Sequence, residues 1–448
     1  MKNSHAHGSF ALFTDLYQLT MMQGYFQQDM QDTAVFSLFV RRLPPTRNFL
    51  LACGLDTVLR LLENLRFSPE EIAYLHSIGR FSPRFLDWLQ GFRFTGDLYA
   101  VPEGTPIFAN EPILEVVAPL PQAQLVETLI MNQIQLQTML ASKAWRVVTA
   151  AQGRPVIDFA TRRMHGIDAA LKGARAFYLG GVSATSNVLA GKRYGLPVAG
   201  TMAHSYIQAH GDEAGAFRAF AQLYPDTVLL VDTYDTLQGI RNIIQLANSL
   251  GEAFQVKAVR LDSGDIAVLS KKARAMLDAA GLHKVGIFAS NSLEENSIAA
   301  LLASGAPIDG FGVGTEMGVS GDAPKLDIVY KLCQYANHGC IKLARGKSVL
   351  PGRKQLFRAA EDGRDIMDTI ARADEEIPGA RALLAPVMKK GKALPQGTIA
   401  LETVRHYATE QTSRLPKEIQ GITEAPSPYP VQVSAALLAD REKIRARL

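Results

Sequence analysis

From about residue 151 to 320 the chain repeats one texture: a short apolar run, a polar or Gly-rich turn, then apolar positions at helical spacing. The runs are PVIDFA (from 155), GGVSAT (180), LPVAGT (196), TVLLVD (227), VKAVRLD (256), KVGIFAS (284) and IDGFGVG (308). Such alternation is the mark of parallel β/α units, and seven in succession predict a closed barrel rather than an open sheet. In a parallel barrel the carboxyl ends of the strands share one mouth. Asp158, Ser183, Thr201, Asp232, Asp262, Ser290 and Gly314 are therefore expected to converge there.

The flanks have a different pattern. VFSLFV (35–40) and ILEVV (113–117) read as strands, LDTVLRLLENL as a helix, and one long helix is expected from about 121 through Trp145 and Val148. TDLYQLTMMQGYF (14–26) reads as a helix capped by Thr14, and the chain closes on another ending in DREKIRARL. The expected organisation is an N-terminal α/β domain (1–150), an α/β barrel (151–335) and a C-terminal segment (336–448) packing with the first domain.

Composition narrows the class. With 448 residues and 47% apolar side chains, two or three domains with sizeable cores are expected, and disordered or fibrous classes are excluded. Lys and Arg exceed Asp and Glu by only 47 to 43 and form no basic run, which argues against a nucleic-acid partner. Cys53, Cys333 and Cys340 form no CxxC pair, so a disulfide scaffold and structural zinc are not expected, and a reducing cytoplasm is the simplest compartment. Neither a signal-type apolar core nor an apolar stretch of membrane-spanning length is found.

The strongest local signal is VRLDSGD (259–265). A strand there delivers Arg260 and Asp262 to the mouth, and Asp262 before a Gly turn suits either ribose hydroxyls or a magnesium ion beside a diphosphate. The plain alternative makes Asp265 a helix cap with Arg260 as its ionic partner. GFGVGTEMG (310–318) offers glycines that let backbone N–H groups approach a phosphate, with Thr315 as a further donor; a flexible turn explains it equally well. His204, in AGTMAHSY, follows a strand end; His210 stands six residues on, which fits no metal-binding helical face, while a phosphate-accepting or proton-handling imidazole stays open. In FATRRMHG, Arg162 and Arg163 suit anionic groups, but on an extended segment only one of the two would face the mouth. Tyr17 and Tyr25 read either as packing residues or as stacking partners for a flat heterocycle.

Jointly, DLYQ, FATRRMHG, GTMAHSY, VDTYDT, VRLDSGD, ASNSLEE, and FGVGTE with DAPKLDIVYKL closely resemble the nicotinate phosphoribosyltransferases, and the likeness extends to PYPVQVS near Pro428. The resemblance implies an irregular α/β barrel of the type II phosphoribosyltransferase kind, with an α/β domain built from both chain ends. It implies transfer of the phosphoribosyl group of phosphoribosyl pyrophosphate to nicotinate, giving nicotinate mononucleotide and pyrophosphate in NAD biosynthesis. That reaction would be coupled to ATP hydrolysis with Mg2+, as an ATP-dependent ligase, in a homodimer with shared sites.

By position, the resemblance makes His204 the histidine phosphorylated by ATP, and Arg260 and Asp262 the ribose and pyrophosphate contacts. Arg162 or Arg163 would lie near the pyridine ring and phosphates, with Phe159 among the substrate contacts. Asn291, Gly314 and Thr315 would hold the 5′-phosphate and ribose, and Asp232, with Asp262, would serve the metal indirectly through pyrophosphate. Tyr17 would stack on nicotinate from the partner chain. Nicotinamide-using relatives carry an aspartate in the strand matching GGVSAT, where this chain is expected to present Ser183; a hydroxyl can donate to nicotinate's carboxylate, which an aspartate would repel. A quinolinate enzyme would need further basic side chains, and an inactive relative would have lost motifs that are all present here.

Overall fold

The computed structural model describes residues 10–344 and 349–448. The chain forms two compact units, one of residues 140–324 and one joining the flanking segments up to Met139 and from Lys325. Both divisions thus fall about ten residues before those expected at 150 and 335. Helix Glu127–Ala150 runs through the first boundary, and strand Ile328–Tyr335 pairs along its length with Thr33–Val40, which places it in the flanking unit.

That unit is built on a seven-stranded sheet in the order His338–Gly339, Ile328–Tyr335, Thr33–Val40, Leu114–Pro119, Asp97–Ala100, Ala385–Lys389, Lys392–Ala393. Neighbouring strands are antiparallel throughout, and strands from both chain ends interleave. Thr33–Val40 is buried on both faces beyond its first residue, as its nearly continuous apolar sequence demands. Its one buried hydroxyl, Ser37, donates to Glu115 Oε1 at 2.5 Å, and Lys354 Nζ stands 3.0 Å from the same oxygen, so the polar groups are mutually satisfied. Two local expectations are corrected. The N-terminal helix is Leu16–Gln27, and its cap is Asp15, in a capping box with Gln18, rather than Thr14. The long helix is broken at Val126, with Leu120–Leu125 a separate turn before Glu127.

The unit of residues 140–324 holds a parallel six-stranded sheet in the order Ala184–Thr185, Val156–Asp158, Gly310–Val313, Gly286–Ala289, Ala258–Leu261, Val228–Leu230. The first and last strands in sequence are neighbours, Phe311 opposite Val156, so the order is circular, as in a barrel. The expected closure is incomplete. The LPVAGT run makes a single bridge, Val198 with Thr185, and among the described residues no ladder joins it to Val228–Leu230. Pro197 has no N–H to donate, and the backbone bonds between the run and Thr185 are the Pro197 carbonyl to Thr185 N and the Ala199 N–H to Thr185 O. The result is a split barrel. Among the described residues no helix in either unit is long and apolar enough to cross a membrane.

Candidate active site

Strand periodicity separates two faces of the parallel sheet. Val259, Leu261, Ile287, Ala289, Phe311 and Val313 are 0% exposed, and helix Ile266–Ala279 packs against strand Gly286–Ala289. Each of these side chains other than Ala289 contributes about 1.5–3 kcal/mol on burial. The alternate positions, Ile157, Arg260 and Phe288, are only half buried, and Arg260 is paired in register with Phe288. This second face lines the lumen. Extending the two-residue period past the carboxyl ends adds Phe159, Asp232, Asp262, Ser290 and Gly314 to the lumen rim.

These residues form one network. Arg260 donates through Nη2 to Asp262 Oδ1 (2.8 Å), through Nε to Ser290 Oγ (2.8 Å) and through Nη1 to Thr201 Oγ1 (2.8 Å), while its guanidinium lies 5.3 Å from the centre of the Phe159 ring. The Ser290 hydroxyl donates to Asp262 Oδ1. Asp232 Oδ2 accepts from the Asp262 N–H (2.7 Å) and the Ser263 hydroxyl (2.6 Å), so one carboxylate shapes the turn that presents the other. Asp232 Oδ1, by contrast, is buried without a hydrogen-bond partner among the described residues. His204 opens helix His204–His210; its Nδ1 lies 3.1 Å from Thr233 Oγ1, and its Nε2 is 3.7 Å from Asp262 Oδ2. Burial alone would raise the Asp262 carboxyl. Hydrogen bonds from Ser290 and Arg260, with the charges of Arg260 and His204, outweigh that and hold it below the ordinary aspartate range.

The remaining candidates fall in distinct places. Arg162 and Arg163 sit not on an extended segment but on a 3-10 turn, Thr161–Arg163, both exposed and without a carboxylate partner among the described residues. Asp158 causes that turn: it is buried, accepts from Ala160 N (2.7 Å) and from Thr185 Oγ1 (2.7 Å), and is thereby absorbed into the scaffold rather than offered at the mouth. Burial pushes its carboxyl up. Ser183 precedes its strand, Ala184–Thr185, at the level of Val156, to whose carbonyl its N–H donates (2.8 Å); the strand ends on Thr185, whose hydroxyl is taken by Asp158, and Ser186 follows it. Gly314 precedes the short helix Thr315–Val319, with Thr315 exposed. The neighbouring Gly312 has a packing role: a Cβ there would lie 2.5 Å from the Phe159 ring.

Asn291 and Ser292 both adopt left-handed backbone, φ 85° and 45°, a strained turn of a kind concentrated at functional sites. Asp265 caps helix Ile266–Ala279, as the plain reading has it, but the ionic partner of Arg260 is Asp262. His210 is exposed and hydrogen-bonds the Tyr206 carbonyl, apart from the His204 pairing. Tyr17, in the flanking unit, is 49% exposed, and Tyr25 is half buried. Thr233 and Ser263 are network members that no sequence signal singles out. Among the described residues no cluster of three or more His, Cys, Asp or Glu side chains is arranged to hold a metal ion.

Comparison with known proteins decides the family. The sequence matches the family models for the nicotinate phosphoribosyltransferase N-terminal domain over residues 12–135, the nicotinate phosphoribosyltransferase family over 155–356 and its C-terminal domain over 378–441. The chain belongs to the nicotinate phosphoribosyltransferase family. Nicotinate phosphoribosyltransferase pncB2 of Mycobacterium tuberculosis is 52% identical over 435 residues, covering 97% of this chain and 94% of that protein. The nicotinate phosphoribosyltransferase of Bacillus subtilis is 39% identical over 458 residues, with 95% and 93% covered.

Among solved structures, human nicotinic acid phosphoribosyltransferase superposes with a TM-score of 0.86 at 28% identity, over 96% of this chain and 99% of that one. A nicotinate-nucleotide pyrophosphorylase from Pyrococcus furiosus, at 24% identity and TM-score 0.75, over 92% and 99%, shares the fold. The Arg260, Asp262, Asp232 and His204 network lies wholly within the central nicotinate phosphoribosyltransferase match, and Tyr17 within the N-terminal one.

Proposed function

We propose that this protein transfers the phosphoribosyl group of phosphoribosyl pyrophosphate to the ring nitrogen of nicotinate, releasing pyrophosphate and forming nicotinate mononucleotide for NAD biosynthesis. The observation that carries the reading is the lumen rim itself: Arg260, Asp262, Asp232 and His204 gathered at strand ends, with Arg162 and Arg163 on the turn after strand Val156–Asp158 and without a carboxylate partner among the described residues. Breaking the bond from C1 to pyrophosphate builds positive charge on the ribose and negative charge on the leaving group. Arginines stabilise the departing oxygens, and Asp262, held as a carboxylate, takes the ribose hydroxyls. The pyridine nitrogen attacks with its own lone pair, so no strong general base is needed. No aspartate or glutamate lies between Gly180 and Asn187, which favours nicotinate over nicotinamide on that strand.

The unpartnered Asp232 Oδ1 suits a cation shared with pyrophosphate. Asp232 and Asp262 would hold Mg2+ indirectly, and the ion would neutralise diphosphate charge. His204 would accept the γ-phosphoryl group of ATP, with ADP leaving, and water would later release the phosphate. A homodimer in the cytoplasm completes the reading. It is favoured by the exposed Phe10, Phe13, Leu16, Tyr17 and Met21 near the N-terminus, which would let the partner subunit's Tyr17 stack on nicotinate.

The decisive experiment supplies purified protein with phosphoribosyl pyrophosphate and nicotinate, nicotinamide or quinolinate, with and without Mg-ATP, and measures pyrophosphate. Nicotinate should be preferred and ATP should stimulate turnover. His204→Ala should keep slow transfer and lose the stimulation. Preference for nicotinamide, or ATP stimulation unchanged in the variant, would overturn the substrate or the histidine assignment respectively.

A further inference from the structure

One charge cluster in the barrel unit lies outside the network described above. Lys143 Nζ stands 2.5 Å from Glu295 Oε2 and 2.8 Å from Asp322 Oδ1, and Arg146, one turn on along the same helix, donates through Nε to Glu295 Oε1 at 2.8 Å. The side chains of Lys143 and Glu295 are each 1% exposed, and that of Asp322 is 32% exposed. Lys143 and Arg146 thus both face Glu295, and Lys143 also faces Asp322. Burial alone would raise the Glu295 carboxyl, but the charge and hydrogen bond of Lys143, with Arg146, hold it below the ordinary glutamate range.

What the cluster joins gives it meaning. Glu295 opens helix Glu295–Ala303, four residues after Asn291, the first of the two left-handed residues. Asp322 follows Thr315–Val319, seven residues after Thr315, just past the left-handed Ser320. These are the two turns that leave strands Gly286–Ala289 and Gly310–Val313, which are hydrogen-bonded neighbours in the sheet. A buried ammonium shared by two carboxylates is a poor source of net stability, because its desolvation offsets most of the attraction. It does fix the separation of the segments that carry the carboxylates.

We infer that Lys143 is a positioning residue for phosphate binding: it clamps the Asn291 turn to the Gly314–Thr315 turn and so sets the spacing of the groups that receive the 5′-phosphate of the phosphoribosyl donor. The inference rests on the proposed phosphoribosyl transfer. Lys143 itself touches no substrate. Its effect should therefore fall on one substrate and not the other.

The test compares the wild-type protein with Lys143→Met, Lys143→Arg and Asp322→Asn in the full-length chain. Steady-state kinetics are run well below each variant's melting temperature, with hydrogen exchange read on the same samples. For Lys143→Met the KM for phosphoribosyl pyrophosphate should rise about 10- to 100-fold, as misplacement of a supporting group commonly produces, with the KM for nicotinate nearly unchanged. Lys143→Arg should recover most of that loss. Asp322→Asn, which keeps the Lys143–Glu295 pair, should give a smaller rise, and exchange at 290–293 and 314–323 should quicken in both Lys143→Met and Asp322→Asn. Equal changes in both KM values, or unchanged exchange in those turns, would overturn the inference. Should Lys143→Met not fold, Asp322→Asn and Lys143→Arg carry the same comparison. Wild-type protein that transfers no phosphoribosyl group would instead defeat the functional reading, and the exchange data would still judge the clamp.

Discussion

Two arginine–aspartate pairs, one in each unit, begin from the same chemistry and end differently. In the flanking unit Arg358 grips Asp368 with a two-pronged fork, Nε to Oδ1 at 2.8 Å and Nη2 to Oδ2 at 2.6 Å, and both side chains are 0% exposed. The Pro106 carbonyl and the Tyr429 hydroxyl supply further hydrogen bonds, and Tyr429 stacks on Phe108 with ring centres 4.0 Å apart. Both carboxylate oxygens of Asp368 are taken. Arg260 meets Asp262 through one oxygen only, shares its remaining donors with Ser290 and Thr201, and leaves Asp262 Oδ2 facing His204 at 3.7 Å, too far for a hydrogen bond. The first pair is sealed from solvent, with only Arg358 Nη1 left without a hydrogen bond among the described residues, and it braces the sheets. The second retains bonding capacity, and that residue of unsatisfied geometry is what a ligand can use.

The contrast can be broken most forcefully at the closed pair. Asp368→Asn removes the forked carboxylate from a buried guanidinium, leaving only the buried Glu111 beside it, and should destabilise the fold by about 3–5 kcal/mol, read from chemical denaturation. A loss below 1 kcal/mol would mean that the fork is not a brace. At the open pair, Asp262→Asn should lower kcat/KM by about 10²- to 10³-fold while leaving the denaturation midpoint close to wild type, the reverse pattern. Gly312→Ala sharpens the picture of the open side. Its methyl group must displace the Phe159 ring, and a roughly 10-fold rise in the KM for nicotinate is expected from such overpacking, about 1.4 kcal/mol. An unchanged KM would remove Phe159 from the site.

The smallest effect concerns pH. The Asp262 carboxyl is depressed in the folded protein, so its stabilising contribution is complete above the ordinary aspartate value of about 4 and is lost as pH falls through the lower folded value. The melting temperature of wild type should accordingly fall more steeply than that of Asp262→Asn as pH drops below about 4. Parallel slopes would show that Asp262 is not held by Arg260 in solution.

Much of this arrangement is legible in the chain. The parallel runs show because both-face burial and regular strand-to-helix alternation leave a coarse, repeated pattern, and the mouth residues follow from where each run stops. What is not legible depends on register and on long-range partners. Ser183 and Ser186 differ by three residues, and only the pairing of the strand shows that Ser183 precedes it and Ser186 follows its last residue, Thr185. Asp158 has the same strand-end signature as Asp262, yet Thr185, distant in sequence, draws it into the scaffold. The glycines of FGVG suggest phosphate loops, whereas Gly312 answers to an aromatic ring more than 150 residues earlier in the chain. Lys143, an ordinary lysine on a helix by pattern, gains its meaning from Glu295 and Asp322 alone.

The split in the barrel has a last consequence. Backbone ladders elsewhere in the ring are permanent at any state of the reaction, since no substrate competes for an amide already paired in a sheet. Across the split, the links described are made by side chains: His204 to Thr233, and Arg260 to Thr201. Such bonds are exchangeable. A ring fastened at one point by a histidine and an arginine is fastened by side chains of the network at its mouth, so a rearrangement of that network is also a rearrangement of the barrel's closure.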